Sequence, residues 1–495
     1  MPAMLRPGFV VGSLVGGLVM VGAGCAQLAG ISETTGDHRK VNAVSIQRVS
    51  IGATVVTAPL DLTGLTGTFV VPGAQAGAYD RVPATTPAAG TWTLDRPDRV
   101  PIEVTYPEVP APIPHLIDLP SPDGAVGLAF VSMEHPGRTA APPGATIAVS
   151  AALDGPVVAG DTFQAYTVGA WSQRALPTPA VGATALNVAA YPFASSASLS
   201  GRPDLDKLQP VDAFLVLRYA GPQLTAAGVA VGFDQTGVDT VTISGGLAKV
   251  TADQTLDVKV HPTTISQRLG TLRPATAGAF AMTWQVTAAP GAAYGAITGP
   301  QLNAGTVAAA DVDLKSARFG NPFVGSRGWR SVLTVTASGT RTYMSGMAVI
   351  SLAAGIQDFI EPTAGLDLAQ PPALPVLISI GGQQLSTDGQ SVARPTGYTE
   401  VSFITDTTSA TLYGLSLDEL TVTGTTVSRK PMYTAVGVAP KFVLRPELFE
   451  AGHLYTLRAT VQLGGFPGLA AADLTQRVLP TSIAYADSGV FTVTP

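Results

Sequence analysis

Residues 99–107, RVPIEVTYP, alternate Val100, Ile102, Val104 and Tyr106 with Pro101, Glu103 and Thr105. An extended backbone places the four apolar side chains on one face and the others on the opposite face. That period of two predicts a half-buried β-strand, with Pro101 at its start or on a sheet edge, because proline donates no ladder hydrogen bond. The same grammar runs outward in both directions. Before the stretch stand AVSIQRVSIGATVV, TGTFVVP and GTWTLD; after it come AVGLAFVSM, ATIAVSAAL, DTFQAYTVGAW and ALNVAAYPF. Each segment is short, rich in Val, Ile, Thr and aromatics, and bounded by Pro, Gly or Asp, the pattern of sandwich and barrel strands.

Residues 201–368 continue with DAFLVLRYA, GVAVGF, DTVTISGGLAKV, LDVKVH, AFAMTWQVTA and SVLTVTAS. MSGMAVISLAAGI is apolar throughout, but at about 13 residues it is too short to cross a bilayer and reads as a buried strand. GRPDLDKLQPVD, at 201–212, has room for one helical turn before Pro210 stops it. The proline cluster LDLAQPPALP marks an extended connector, and about seven further strands fill the rest. GLAAADLTQRV at 468–478 reads as a short helix among them. The expected architecture is therefore all-β, with tandem β-sandwich domains at 41–200, 201–368 and 369–495.

Composition bounds the class. A 495-residue chain holds several domains. With 13% charged and 46% hydrophobic residues it is folded rather than disordered. Its 54 glycines and 40 prolines suit many turns better than long helices. The formal net charge of −6, without any run of Lys or Arg, argues against nucleic acid as a partner, since phosphate neutralisation supplies most non-specific affinity. The sole cysteine, Cys25, excludes an intramolecular disulfide framework.

Cys25 follows Arg6 and an uncharged apolar stretch at 8–23, which is shorter than the roughly 20 residues of a membrane-spanning anchor and fits a signal-peptide core. The end of this leader, Gly22-Ala23-Gly24-Cys25, resembles the lipobox of bacterial lipoproteins. Gly22 stands where that family has leucine. The resemblance implies a signal peptide at 1–24, acylation of Cys25 and a lipidated tether at 25–40. It also implies an extracytoplasmic, membrane-anchored location: the outer membrane where the cell has one, otherwise the cell surface. Farther along, Leu448 and the run Gly452-His453-Leu454-Tyr455 resemble the passage between strands E and F of fibronectin type III modules. The likeness implies an immunoglobulin-like sandwich in which the Tyr455 hydroxyl bonds back to the backbone.

Chemistry-bearing motifs are scarce. The five histidines, His38, His115, His135, His261 and His453, form no i, i+2 or i, i+4 pair of the kind zinc hydrolases use. Glu134-His135 is the most site-like fragment, and Pro136-Gly137 directly after it reads as a loop. No G-x-S-x-G, G-x-G-x-x-G or phosphate-loop string follows a strand. Neither a cofactor nor a metal is expected. The carboxylates best placed for calcium are Asp204 with Asp206 and Asp311 with Asp313, although a D-x-D-x-D-G loop is missing. Trp92, Trp171, Trp284 and Trp329 are core candidates, and some could instead form sugar-stacking platforms. Trp329, between Arg327 and Arg330 in SRGWRSV, is the one expected at the surface, where these three residues would contact a ligand. The expected function is thus a non-enzymatic binding or structural module of the cell envelope, held to the membrane by acyl chains and meeting an envelope protein or a glycan. The alternatives are a lipid-anchored carbohydrate hydrolase using a carboxylate pair, which needs no sequence motif, and a scaffold of a secretion or transport complex.

Overall fold

A computed structural model describes the chain from Arg39 to Pro495. Apart from gaps of one to three residues, it leaves out 48–55, 60–65, 95–100, 107–112, 120–124, 131–140, 168–171, 193–206, 273–279, 290–298, 369–373 and 406–411. The described residues are all-β, with α-helices only at Pro262–Leu272 and Phe323–Arg327. None of their helices is long and apolar enough to cross a membrane.

The C-terminal region is a two-sheet β-sandwich. One sheet runs in the order Gln383–Gln384, Pro375–Ile380, Thr399–Thr405, Lys441–Leu444. The facing sheet contains Gln390–Ala393 lying parallel to Phe491–Thr494, then Leu454–Gly464, Leu412–Thr423 and Thr426–Gly437. Val401, Phe403 and Phe442 from the first sheet and Leu415, Leu457 and Val461 from the second fill one core. Tyr455 is fully buried between Phe449 and Phe491, and its hydroxyl accepts a 2.8 Å hydrogen bond from the Glu450 N–H, five residues upstream. This is the backbone tie expected from the Leu448 to Tyr455 passage. Tyr455→Phe removes the acceptor while keeping the ring, so a loss of about 1–2 kcal/mol in denaturant titration is the expected outcome.

The facing sheet does not stop at the sandwich. On one side, Thr426–Gly437 pairs in parallel with Ile113–Asp118, followed by Ile102–Tyr106, Thr66–Pro72 and Tyr79–Pro83. On the other, Leu454–Gly464 pairs with Thr481–Asp487, then Ala348–Ile360, Arg330–Ser345, Ala281–Ala289 and Gln301–Val307. Strands from each of the three expected domains thereby share one sheet. The expected boundary at 368 is crossed by the pairing of Ala348–Ile360 with Thr481–Asp487.

The expected boundary at 200 also fails. Asp161–Thr167 pairs with Ala213–Ala220, and Thr146–Ala152 lies parallel to Val238–Ile243, so one sandwich spans both sides of the cut. The reason is visible in AFLVLRYA. Phe214 and Val216 pack with Ile147, Val149 and Phe163 inside that sandwich, whereas Leu215, Leu217 and Tyr219 pack on Trp284, Val286 and Leu333 of the long sheet. A strand apolar on both faces needs a covering layer on each.

Ile102 and Val104 are buried as their alternation predicts, but Glu103 on the opposite face is buried too, at 1% exposure. Their strand has neighbours on both sides rather than lying at an edge. MSGMAVISLAAGI divides at Gly346, whose φ of 61° turns the hairpin, and continues as the largely buried strand Ala348–Ile360. The helix at Pro262–Leu272 is not apparent in the sequence. Proline occupies its first position, and Ile265 and Leu269, one turn apart, pack into the core. Among the described residues of 468–478, a 3-10 turn forms at Leu469–Ala471.

Candidate functional site

The structure moves the expected ligand platform inside. Gly328, at φ 65°, turns the chain after the helix Phe323–Arg327, so the Trp329 ring folds back 5.1 Å from Phe323. Trp329 is 1% exposed, which corrects its expected place at the surface and leaves no face for a sugar to stack on. Arg330 points outward and pairs with Glu361 at 3.4 Å, while the Arg327 side chain lies outside the described residues. Trp92 and Trp284 are buried against glycines: a Cβ at Gly67 would stand 2.7 Å from the first indole and one at Gly305 2.8 Å from the second. Cys25, Trp171, Asp204, Asp206 and Glu134-His135 all lie outside the described residues.

Among the described residues, three clusters of buried charge correspond to no sequence motif. Arg218, on the doubly covered strand, donates to Asp161 at 2.6 and 3.1 Å, to Asp154 at 2.7 Å and to the carbonyls of Gly155 and Pro156. Glu103 receives Arg81 at 2.5 Å, and its second oxygen faces Arg445 Nε at 3.8 Å. Burial and this carboxylate hold the Tyr433 phenol well above its ordinary value. Strand Ile102–Tyr106 is thus tied to the C-terminal sandwich through its interior.

The third cluster joins the hairpin of Arg330–Ser345 and Ala348–Ile360 to the same sandwich. Arg458 donates to Asp487 at 2.6 and 3.0 Å and lies 5.0 Å from the centre of the Tyr485 ring. Asp487 also accepts from the Ala353 N–H at 2.8 Å, and Arg429 reaches Asp418 at 3.5 Å, Asp487 at 3.8 Å and the Ser351 carbonyl. Burial raises the Asp418 pKa. Asp418 and Asp487 are two carboxylates in unlike environments around one guanidinium, the closest approach among these clusters to a glycosidase pair. Both oxygens of Asp487 are already committed, and the hairpin backbone lies against them. The arrangement is a clamp between elements.

The fourth cluster is open to solvent. His261 Nδ1 stands 3.0 Å from Asp311 Oδ2 and its Nε2 2.6 Å from Asp367 Oδ1. The two carboxylate side chains are 44% and 54% exposed. Asp311 additionally accepts from the Thr263 N–H at 3.3 Å in the first turn of the helix Pro262–Leu272. The hydrogen bond to Asp311 raises the His261 pKa; burial opposes the rise, and Asp367 adds to it. The Asp311 pKa is correspondingly lowered, first by His261. Asp313 caps the 3-10 turn Leu314–Ser316, accepting from the Lys315 N–H, and lies 3.6 Å from Lys315 Nζ. Asp311 and Asp313 therefore serve imidazole, amide and ammonium partners rather than a common ion. Among the described residues no three His, Cys, Asp or Glu side chains are arranged to hold a metal.

One signal in the sequence marks these residues: a lone charge inside an apolar strand, as Arg218 in AFLVLRYA, Glu103 in PIEVTY and Arg458 in YTLRATV. Such a charge is almost never buried unless paired, so each position implies a partner elsewhere in the chain. No protein-family model matches the chain, and no curated protein is significantly similar to it in sequence.

Proposed function

We propose that the chain is a membrane-anchored, extracytoplasmic lipoprotein whose β body is a non-enzymatic binding or structural module of the cell envelope. The observation that carries this reading is the placement of Cys25, the only cysteine, at the end of an uncharged apolar stretch and after Ala23-Gly24. Two or three acyl chains on the new N-terminus anchor stably, whereas one chain holds marginally. The body supports the binding half of the reading. Its buried charges, Arg218, Glu103 and Arg458, are spent on holding strands together, which suits a rigid platform that presents loops to a partner.

Wild type and Cys25→Ser, expressed in a bacterium fed labelled palmitate, test the anchor. Wild type is expected to carry label and to fractionate with membranes, and the variant to lose both. A variant that keeps label and membrane association overturns the lipoprotein reading. Crosslinking in intact cells tests the binding half, with an envelope protein or glycan conjugate as the expected product.

A further inference from the structure

The His261 bridge has a stoichiometry that constrains its protonation. Each ring nitrogen lies within hydrogen-bond distance of a carboxylate oxygen, and ionised carboxylates only accept. A neutral imidazole carries one N–H, so it can serve Asp311 or Asp367 while turning a lone pair toward the other. Only the imidazolium donates to both.

The three residues come from separate segments. His261 links the strand Val258–Val260 to the helix Pro262–Leu272, and its carbonyl accepts from the Ile265 N–H in the first helical turn. Asp311 precedes the two-residue strand Val312–Asp313, and Asp367 is the centre of Leu366–Leu368. Backbone pairing joins these short strands through few residues, and Leu366 and Leu368 also pack on the core that holds Val258 and Val260. Val258–Val260 lies antiparallel to Val312–Asp313 through two residue pairs and parallel to Leu366–Leu368 through three. After Leu368 the chain runs through the proline connector into the C-terminal sandwich.

We propose that His261 is an acid-set latch: its imidazolium fastens Leu366–Leu368 to the strand Val258–Val260 and the adjoining helix, and deprotonation releases the Asp367 arm. Other charges around the bridge set its background. Lys259 stands opposite Asp313 and Asp367 in the two ladders, and Lys315 pairs with Asp257 at 3.1 Å as well as with Asp313. These lysines neutralise part of the local acidity without replacing the bridge, since neither is paired with Asp311 or Asp367 by an ion pair. The raised His261 pKa agrees in direction. A group whose folded pKa is raised contributes stability fully below its unfolded value, near 6.5, and loses it as pH rises through the folded value.

The test is hydrogen exchange at the Leu366–Leu368 amides, corrected for intrinsic rate, together with NMR titration of the His261 ring in the full chain. In wild type, the corrected exchange rate is expected to rise at least threefold between pH 6 and pH 8.5, with the ring titrating above 6.5. Asp367→Asn, at a half-exposed position, is expected to abolish that rise and to bring the ring pKa down while leaving the circular dichroism unchanged. Asp311→Asn provides a second variant, with the same lowering of the ring pKa. A wild-type ring titrating at or below 6.5, or pH-dependent exchange that persists in Asp367→Asn, overturns the latch. So does a His261 titration abolished by millimolar calcium and restored by chelator, because the carboxylates would then be serving a cation.

Discussion

Arg458→Ala is expected to lower the free energy of unfolding by about 3–5 kcal/mol, the range for removing one partner of a buried ion pair. The guanidinium is 9% exposed and forks onto Asp487, whose side chain is 1% exposed. After truncation Asp487 retains the Ala353 N–H and the more distant Arg429, at 2.8 and 3.8 Å, which cannot repay the desolvation of a full negative charge. The arginine also covers the Tyr485 ring, so apolar contact and cation–π attraction are lost with it. Chemical denaturation followed by tryptophan fluorescence measures the loss, since Trp284 and Trp329 sit in the core that the long sheet encloses. Replacing both partners, as Arg458→Met with Asp487→Leu, is expected to recover most of the stability because no charge is then stranded. A single variant that loses less than about 1 kcal/mol would show the pair to be hydrated and the clamp unimportant.

The legibility of the fold follows the range of the interactions involved. Period-two alternation is local, so Ile102, Val104 and the strands around them can be read from the chain itself. Long apolar runs are local too: AFLVLRYA announces a strand covered on both sides. Pairing is not local. The parallel contact of Thr434–Gly437 with His115–Asp118 joins segments about 320 residues apart, and nothing in either segment names the other. The expected boundaries at 200 and 368 fail for that reason; the proline cluster behind the second marks an extended connector and not the limit of a sheet. Trp329 lies inside although arginines flank it: after the turn at Gly328 its ring returns to Phe323, while the neighbouring Arg330 reaches Glu361 at the surface. The latch at His261 was hidden for a third reason. Its carboxylates lie 50 and 106 residues away, and the sequence groups Asp311 with its neighbour Asp313 as a calcium candidate rather than with a histidine.

Asp358→Asn is expected to stabilise the protein at pH 7 by about 2–3 kcal/mol. Asp358 lies on the strand Ala348–Ile360, on the face that also carries Ile356 and Ile360 into the core, and it is paired in register with Ser482, whose hydroxyl donates to it. Burial raises its pKa from 3.8 to about 6, and the serine bond opposes the rise. A carboxyl with a raised folded pKa binds its proton more tightly in the native state, so its full contribution is present below about pH 4 and is lost as pH climbs through about 6. Two pKa units correspond to roughly 3 kcal/mol. Asparagine keeps the shape and a hydrogen-bonding partner for Ser482 but never ionises. Unfolding free energies of the two proteins should therefore converge near pH 4 and separate progressively to pH 7, with the variant the more stable. An equal gap at both pH values would mean that the substitution acts through packing rather than charge, and a less stable variant at pH 7 would mean that Asp358 is ionised there and held by a favourable partner. This pH response has the same sign as that of the His261 latch, so the two must be separated by combining Asp358→Asn with Asp367→Asn. Additive effects are expected, because Asp358 is bonded to Ser482 and Asp367 to His261, with no shared partner.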